Sequence, residues 1–481
     1  MFIESVFKGK GFLISLFIFT MLILILINFV SAVECGSAPI NGCTITQDTI
    51  FDPGTYNLRN GIEIGADNVI LDCNNAVLNG SGKSSINNSC IASANGKNIG
   101  ILICQKKNVT IKNCYIDKYN YGIIAVANFP GQNLYSNIIN NQITNSKDRG
   151  IWFLSSNLNI IADNELKNNP DGIMLSGGNS NFISGNKISN STYEAILVTS
   201  SSGNVIANNI VYDNQRGVWL WRTYLSKIIN NTISKTALEG IFLSSDVNST
   251  TIEDNTIKEN NFGIALRITS DNIIKNNNVF NNLKGIGLMA LVETELSNNE
   301  TIVHNNIYDN KDYNLYITQK NNVNAEHNWW GTTSQGNIAA KIFDCNDDSR
   351  YGCVDFMPYL DSLWRGCYDG VKDGDEDGVD CGGSCPFTCN YCTPYIKNGE
   401  SEDKIDLVFI PDNTYNNNFT LFKEHIGGII NNSFGSADLV KSNLDKFNFY
   451  YIEEQSQTDW ENWIHEPQKN SLRNVLFMML L

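Results

Sequence analysis

A short pattern recurs through the middle of the chain at a nearly fixed interval, and this repeat constrains the fold most. An asparagine, a variable residue and an aliphatic residue are followed by a small residue and another aliphatic one, as in Asn231-Thr232-Ile233 and Gly240-Ile241. The small residue returns after 28 residues once and after 22 or 23 otherwise, at Gly122, Gly150, Gly172, Ala195, Gly217, Gly240, Gly263 and Gly285. A period held this closely predicts a repeat architecture.

The residues inside each period indicate strands. Aliphatic and β-branched residues alternate, as in Gly263-Ile264-Ala265-Leu266, and Asn, Asp, Ser or Gly bound each run. The Leu-x-x-Leu-x-Leu frame of leucine-rich repeats is absent from the sequence. Three short strands and three turns fill such a period, so each coil pairs with the next about 4.8 Å away. The sequence therefore predicts an all-β fold, a parallel β-solenoid.

Over roughly residues 60–335 this repeat resembles the right-handed parallel β-helix family, which includes NosD-type and pectin-lyase-like proteins. The resemblance implies one right-handed β-helix over residues 33–360. Residues 68–73 resemble a first full coil, and the segment from Asn328-Trp329-Trp330-Gly331 to Leu360 resembles the closing segment. We expect the paired tryptophans to cover the last coil. Because relatives include pectin-degrading enzymes, adhesins and proteins linked to copper, the fold leaves the function open.

The N-terminal 32 residues indicate export. Lys8 and Lys10 precede an apolar run from Phe12 to Val30, and Val30-Ser31-Ala32 is typical of a cleavage site. Residues 1–32 are thus a secretory signal peptide or, if uncleaved, a membrane anchor, since about 18 apolar residues can span a bilayer. Either alternative predicts an extracellular or cell-surface location for the rest of the chain.

The cysteines fit an oxidising compartment. All 13 follow Ala32, and none lies in the central repeats. The short loops Cys35–Cys43 and Cys345–Cys353 are predicted disulfides. Five further candidates lie near the C-terminus: Cys367, Cys381, Cys385, Cys389 and Cys392. Because the count is odd, at least one thiol is free or pairs with another chain.

Composition argues against nucleic acid as a partner and against copper as a bound metal. A net charge of −16 would repel a phosphate backbone, so nucleic acid is not an expected partner. The four histidines are scattered and the methionines are few within the repeats, which gives copper little support. We expect no required cofactor.

The recurring asparagines have two interpretations. They stand one coil apart, at Asn164, Asn186, Asn208, Asn231, Asn255 and Asn277. Asparagine tolerates left-handed backbone, and its amide bonds to the coils above and below, which favours a structural ladder. The alternative is a row of ligands.

One column of the repeat is predicted to point outward, because alternate residues of a strand face opposite sides, and the column just before the small residue is predicted to lie outward or at a corner. The apolar column is Trp152, Met174, Leu197, Trp219, Phe242, Ala265 and Gly287. The column beside it is mostly charged: Arg149, Asp171, Glu194, Arg216, Glu239, Phe262 and Lys284. Trp221 and Arg222 lie at the margin.

Aromatic rings beside carboxylates and guanidinium groups are typical of polysaccharide recognition, since sugars stack on rings and bond to forked polar groups. The candidate glycan-binding residues are Trp152, Trp219, Trp221, Phe242, Arg149, Arg216 and Glu239. Two alternatives stay open. The stripe could be covered by another part of the protein, or Asp171 and Glu194 could act as the general acid/base pair of a polysaccharide lyase or glycoside hydrolase.

Residues 361–395 form a Cys/Asp/Gly-rich segment that resembles a linker module of secreted proteins. Asp373, Asp375, Asp377 and Gly378 match the first half of a calcium loop, but Ser384 stands where the twelfth ligand is expected. Calcium and a disulfide-pinned acidic turn are both compatible with this sequence.

Residues 396–481 indicate a partial α/β module. The strand Ile405–Ile410, the stretch 419–430 and the strand 446–450 resemble the start of IgA-peptidase-like zinc metallopeptidases. The family's His-Glu-x-x-His helix is represented by His465-Glu466-Pro467-Gln468-Lys469, which lacks the second histidine and places proline inside the motif. We therefore expect no peptidase activity, and a truncated metallopeptidase carrying a β-helix is a third alternative function.

Overall fold

The structure is a computed structural model, and it forms two compact units, one ending at Ser226 and one beginning at Lys227. It describes residues 33–81, 90, 98–127, 132–292, 295–364, 393–396, 398, 405–411, 419–430, 446–451 and 476–480. In both units, successive coils contribute one strand each to three parallel sheets, here named A, B and C in chain order. The predicted all-β parallel solenoid is confirmed.

The first unit contains most of the coils. Its sheet A strands are Thr44–Ile45, Ile62–Ile64, Ile99–Cys104, Tyr121–Val126, Arg149–Leu154, Asp171–Ser176, Glu194–Ser202 and Arg216–Tyr224. Sheet B consists of Thr49–Ile50, Ile70–Asp72, Thr110–Lys112, Asn137–Ile139, Ile160–Ala162, Phe182–Ser184 and Val205–Ala207. Sheet C consists of Thr55–Asn57, Val77–Asn79, Tyr115–Asp117, Gln142–Thr144, Glu165–Lys167, Lys187–Ser189 and Ile210–Tyr212. The short strands Gln132–Asn133 and Ser156–Asn157 pair separately.

The second unit is built in the same way. Its sheet A strands are Glu239–Asn248, Phe262–Ser270, Lys284–Leu288, Tyr313–Ile317 and Ile342–Phe343. Sheet B consists of Lys227–Ile229, Thr251–Glu253, Ile273–Lys275 and Thr301–Val303, and sheet C of Thr232–Ser234, Thr256–Lys258, Asn278–Phe280 and Asn306–Tyr308. A helix, Gln335–Ala339, follows, and Val323–Asn324 pairs with Val354–Asp355.

The core is a set of aliphatic columns in register. In sheet A, Ile151 pairs with Ile173, and Ile173 with Ile196, and all three are fully buried. Sheets B and C contribute equivalent columns through residues such as Ile183 and Ile188. Burying each such side chain contributes about 1.5–3 kcal/mol, so the repeat itself supplies the stabilising surface.

Asparagine ladders run along the corners between sheets. In the first unit Asn186 donates its amide to Asn209 Oδ1 at 3.0 Å and to Ile161 O at 2.8 Å, and accepts from the backbone N–H of Asn164. The structural interpretation is thus confirmed, with one correction. The ladder residue is Asn209 and not Asn208, because Asn208 occupies the left-handed turn position at φ 57° just before it.

Disulfides and aromatic residues close the ends. Cys35–Cys43 and Cys345–Cys353 are bonded as predicted, and the structure adds Cys73–Cys114 and Cys90–Cys104. Near the end of the second unit's coils Trp330 is 2% exposed, and Trp329 packs against buried Leu360 and Trp364. The paired tryptophans therefore cover the last coil, as predicted.

The C-terminal residues form a four-stranded sheet with one helix. Ile405–Pro411 is parallel to Phe447–Tyr451 and Leu476–Leu480, Thr393–Ile396 is antiparallel to Phe447–Tyr451, and the helix is Phe419–Gly428. Among the described residues no helix is long and apolar enough to cross a membrane. The predicted leader (1–32), the calcium loop and His465 lie outside the described residues.

Candidate functional site

A row of charged side chains crosses the outer face of sheet A in the first unit. Arg149 donates Nε to Asp171 Oδ2 at 3.1 Å and also pairs with Asp148 at 3.5 Å. On the neighbouring coils, Arg216 Nη1 lies 3.2 Å from Glu194 Oε1. The register places Arg149 beside Asp171 and Glu194 beside Arg216, so the parallel ladder brings together the four charges in the predicted order.

The two central carboxyl groups share a buried position. Asp171 and Glu194 are 6% and 8% exposed. Burial, the charge of Asp171 and a hydrogen bond with it together raise the pKa of Glu194 to about 7, against the lowering effect of Arg216. Burial also raises the pKa of Asp171, whereas Arg149 lowers it. Near neutral pH a substantial part of the Glu194 population is therefore protonated.

The hydrogen bonding of Asp171 supports this protonation state. Its Oδ1 atom is buried, and Glu194 is the neighbour that forms a hydrogen bond with this carboxyl group besides Arg149. A protonated Glu194 supplies the donor, because a neutral carboxyl group donates one O–H. Two carboxyl groups in direct contact leave no room for a glycosidic bond between them, whereas two-carboxylate hydrolysis uses separations of about 5 Å or more.

Around Trp152 the apolar column is closed to solvent. The Trp152 side chain is 9% exposed, its ring lies 5.7 Å from that of Tyr121, and its Nε1 donates to Ser176 Oγ at 3.2 Å. Arg149 covers the ring with its Cζ 4.6 Å from the centroid. Cys90, bonded to Cys104, packs on the same cluster. In this part of sheet A the packing interpretation holds.

Around Trp219 the same column is less buried. Trp219 and Trp221 are both partly exposed and lie two positions apart on one strand, so they face the same side. Each ring has a guanidinium over it: Arg216 at 5.0 Å from Trp219 and Arg222 at 4.6 Å from Trp221. This part of the face offers the aromatic and cationic surface that the sequence predicts.

The remaining candidates lie in the second unit. Phe242 is 5% exposed, with Arg267 at 5.9 Å from its ring, and Glu239 is half-buried beside Phe262. Phe242 therefore has little surface to offer a ligand. The calcium candidates Asp373, Asp375 and Asp377, and the cysteines Cys367, Cys381, Cys385, Cys389 and Cys392, lie outside the described residues.

Sequence reasoning missed two contributors. Tyr121 precedes Arg149 in the charged column, and Arg149 Cζ lies 5.9 Å from the centroid of its ring. Extending the charged column by one coil toward the N-terminus would have identified this residue. Cys90 lies outside the repeat, so no periodic signal could place it against Trp152.

Comparison with known families agrees with this architecture. Residues 134–232 match the family described as periplasmic copper-binding protein (NosD), and residues 222–338 match the one described as right handed beta helix region. The fold is thus a right-handed parallel β-helix, and the matched residues 134–338 lie within it. Both matches end before residue 339, and the peptidase resemblance of the C-terminal segment stays a prediction. No curated protein is similar enough in sequence to count as a match.

Several solved β-helix structures are similar to this chain. The periplasmic alginate epimerase AlgG is 14% identical with a TM-score of 0.46, covering 60% of this chain and 76% of its own. The mannuronan C-5 epimerase AlgE4 A-module of Azotobacter vinelandii is 15% identical with a TM-score of 0.41, covering 55% of this chain and 87% of its own. The Dettilon tailspike protein is 14% identical with a TM-score of 0.47, covering 64% and 62%. Similarity at this level assigns neither ligand nor reaction to this β-helix.

Proposed function

We propose that this β-helix is an exported glycan-binding protein, and that the glycan lies on the outer face of sheet A around Arg216, Trp219 and Trp221. The observation that carries the proposal is the pair of partly exposed tryptophans on one strand, each with a guanidinium over its ring. Sugar rings stack on aromatic faces, and guanidinium groups bond to hydroxyl or carboxylate oxygens.

The charged row supplies the polar half of this surface. Arg149 and Arg216 flank Asp171 and Glu194. Each arginine forms an ion pair with the neighbouring carboxylate, which restrains the four side chains. Such pre-organised groups lose little conformational entropy when a ligand binds. The row therefore adds orientation and specificity to the stacking.

Export is part of the proposal. Four disulfides join eight of the described cysteines, and such bonds persist in oxidising compartments outside the cytoplasm. The N-terminal signal or anchor predicted from the sequence would deliver the chain there. The β-helix would then meet polysaccharide at the cell surface or in the surrounding medium.

A second candidate function is polysaccharide cleavage by a lyase or a hydrolase, favoured by the protonated Glu194. A carboxyl group with a pKa of about 7 is poised as a general acid at neutral pH. Its direct contact with Asp171 explains the same pKa by structure alone, so we rank catalysis below binding.

A glycan array probed with the full chain tests both functions. We expect binding to at least one polysaccharide, about tenfold weaker in Trp219→Ala, since the stacking surface is lost. Tyr212→Ala is the matched control: Tyr212 is half-buried on the outer side of sheet C, with Lys187 at 6.0 Å from its ring. Unchanged binding in Trp219→Ala would remove this face as the site, and new reducing or unsaturated ends in the bound glycan would establish cleavage instead.

A further inference from the structure

The corner between sheets A and B carries a residue that breaks the asparagine pattern. In the second unit the backbone N–H of Thr250 donates to Asn272 Oδ1 at 2.9 Å, and that of Asn272 donates to Glu300 Oε2 at 3.1 Å. Glu300 Oε1 also accepts from Thr269 Oγ1 at 2.7 Å. Glu300 thus takes the ladder position of an asparagine, but an ionised carboxylate has no N–H to donate onward.

Sheet pairing stops at the same corner. The last strand of sheet B is Thr301–Val303. The strand one coil further on, Val323–Asn324, pairs with Val354–Asp355. The two coils are therefore not joined along sheet B, and they separate beside Glu300.

A cleft of about 490 Å³ lies where they separate. Nine of its eleven lining residues are polar, and most carry side-chain amides. Its walls are braced: Gln319 exchanges two hydrogen bonds with the backbone of Ser297, and Asn321 Nδ2 donates to Asn298 Oδ1 at 2.6 Å. A further brace is Asn322 Oδ1, which accepts from the N–H of disulfide-bonded Cys353 at 2.9 Å.

The chemistry of the lining indicates the class of ligand. Amides present donors and acceptors side by side, which matches hydroxyl groups that both donate and accept. The positively charged ammonium group of Lys320 would repel a metal cation. Only Leu288 and Val323 contribute aliphatic surface to the lining. The volume lies within the range of about 300–1,000 Å³ typical of small-molecule sites.

We infer that this cleft binds one or two units of a neutral, hydroxyl-rich sugar. The site is separate from the sheet A face and does not depend on the proposed function. Burial raises the pKa of Glu300 to about 7, so near neutral pH its carboxyl group can both donate to and accept from sugar hydroxyls.

Saturation-transfer NMR on the full chain tests the inference, with glucose, galactose, mannose, N-acetylglucosamine and maltose as probes. We expect transfer to at least one sugar and about fivefold weaker binding in Lys320→Ala and in Asn298→Ala, the size of one lost hydrogen bond. Lys311→Ala, an exposed lysine away from the cleft lining, is the control and should bind normally.

The outcomes separate the two sites. Signal that persists in Trp219→Ala but falls in Lys320→Ala and Asn298→Ala supports the cleft, whatever the glycan array shows. Absence of transfer to every probe, or a signal that is lost in Trp219→Ala and kept in both cleft variants, would overturn the inference.

Discussion

Trp152 and Trp219 occupy the same column of sheet A and both lie under an arginine, yet Trp152 is buried and Trp219 is partly exposed. Trp152 packs beside Tyr121 and the cluster that includes Cys90, which is tied to Cys104. The repeat therefore sets the direction of a side chain, whereas exposure depends on segments outside the repeat. A ligand face is the part of a column that such segments leave uncovered.

The largest expected difference is in stability. Trp152→Ala should lower the free energy of unfolding by about 3–5 kcal/mol, because a large buried ring leaves a cavity. Trp219→Ala should lower it by a smaller amount, because its ring is partly exposed and less of it is removed from a packed core. Urea unfolding of both variants measures the difference, and equal losses would show that the two halves of the face are not distinct.

Removing the Cys90–Cys104 bond should sharpen the same contrast. We expect the double variant Cys90→Ser/Cys104→Ser to lose about 3 kcal/mol, as is usual for a loop of this size. Hydrogen exchange should accelerate in Tyr121–Val126 and Arg149–Leu154 and stay unchanged in Arg216–Tyr224. Equal acceleration in all three strands would mean that the disulfide acts on the whole unit rather than on the closed half.

The smallest expected effect is a pH-dependent change in stability at Glu194, whose coil lies between those of Trp152 and Trp219. Because the folded pKa of Glu194 is about 7 and an unfolded glutamate has a pKa of about 4.3, the folded state loses stability as pH rises through this window. Because Glu194→Gln cannot titrate, it does not lose this stability. Its free energy of unfolding should equal that of the wild type at pH 4 and exceed it by about 1–3 kcal/mol at pH 8.

Urea unfolding across that pH range is the measurement. Glu165→Gln, which replaces an exposed glutamate paired with Lys187 at 3.5 Å, is the control and should change stability by about 0.5 kcal/mol or less at either pH. A gain for Glu194→Gln that is equal at both pH values would contradict the shared proton.

The sequence predicts what the repeat determines. Period and alternation were enough for the solenoid and for the order of charges from Arg149 to Arg216. The disulfides Cys35–Cys43 and Cys345–Cys353 followed from short loops. Sequence alone could not pair Cys90 with Cys104, because that contact depends on where a non-repeating segment lies.

The cleft beside Glu300 was also beyond sequence analysis. A glutamate in an asparagine column is visible only once the column has been aligned, and the coil that contains it is longer than the standard period. Thr301–Val303 and Val323–Asn324 do not pair along sheet B, and strand pairing of this kind is seen only in the structure.

The asparagine ladders also determine where the β-helix tolerates inserted residues. Asn255 and Asn277 are 22 residues apart, Asn277 and Asn305 are 28 apart, and both amide contacts are near 3.0 Å. The additional residues of the longer coil leave the stacking of these asparagines unchanged. New loops can therefore be added between Leu288 and Thr301 without refolding the scaffold, so recognition and architecture can evolve independently.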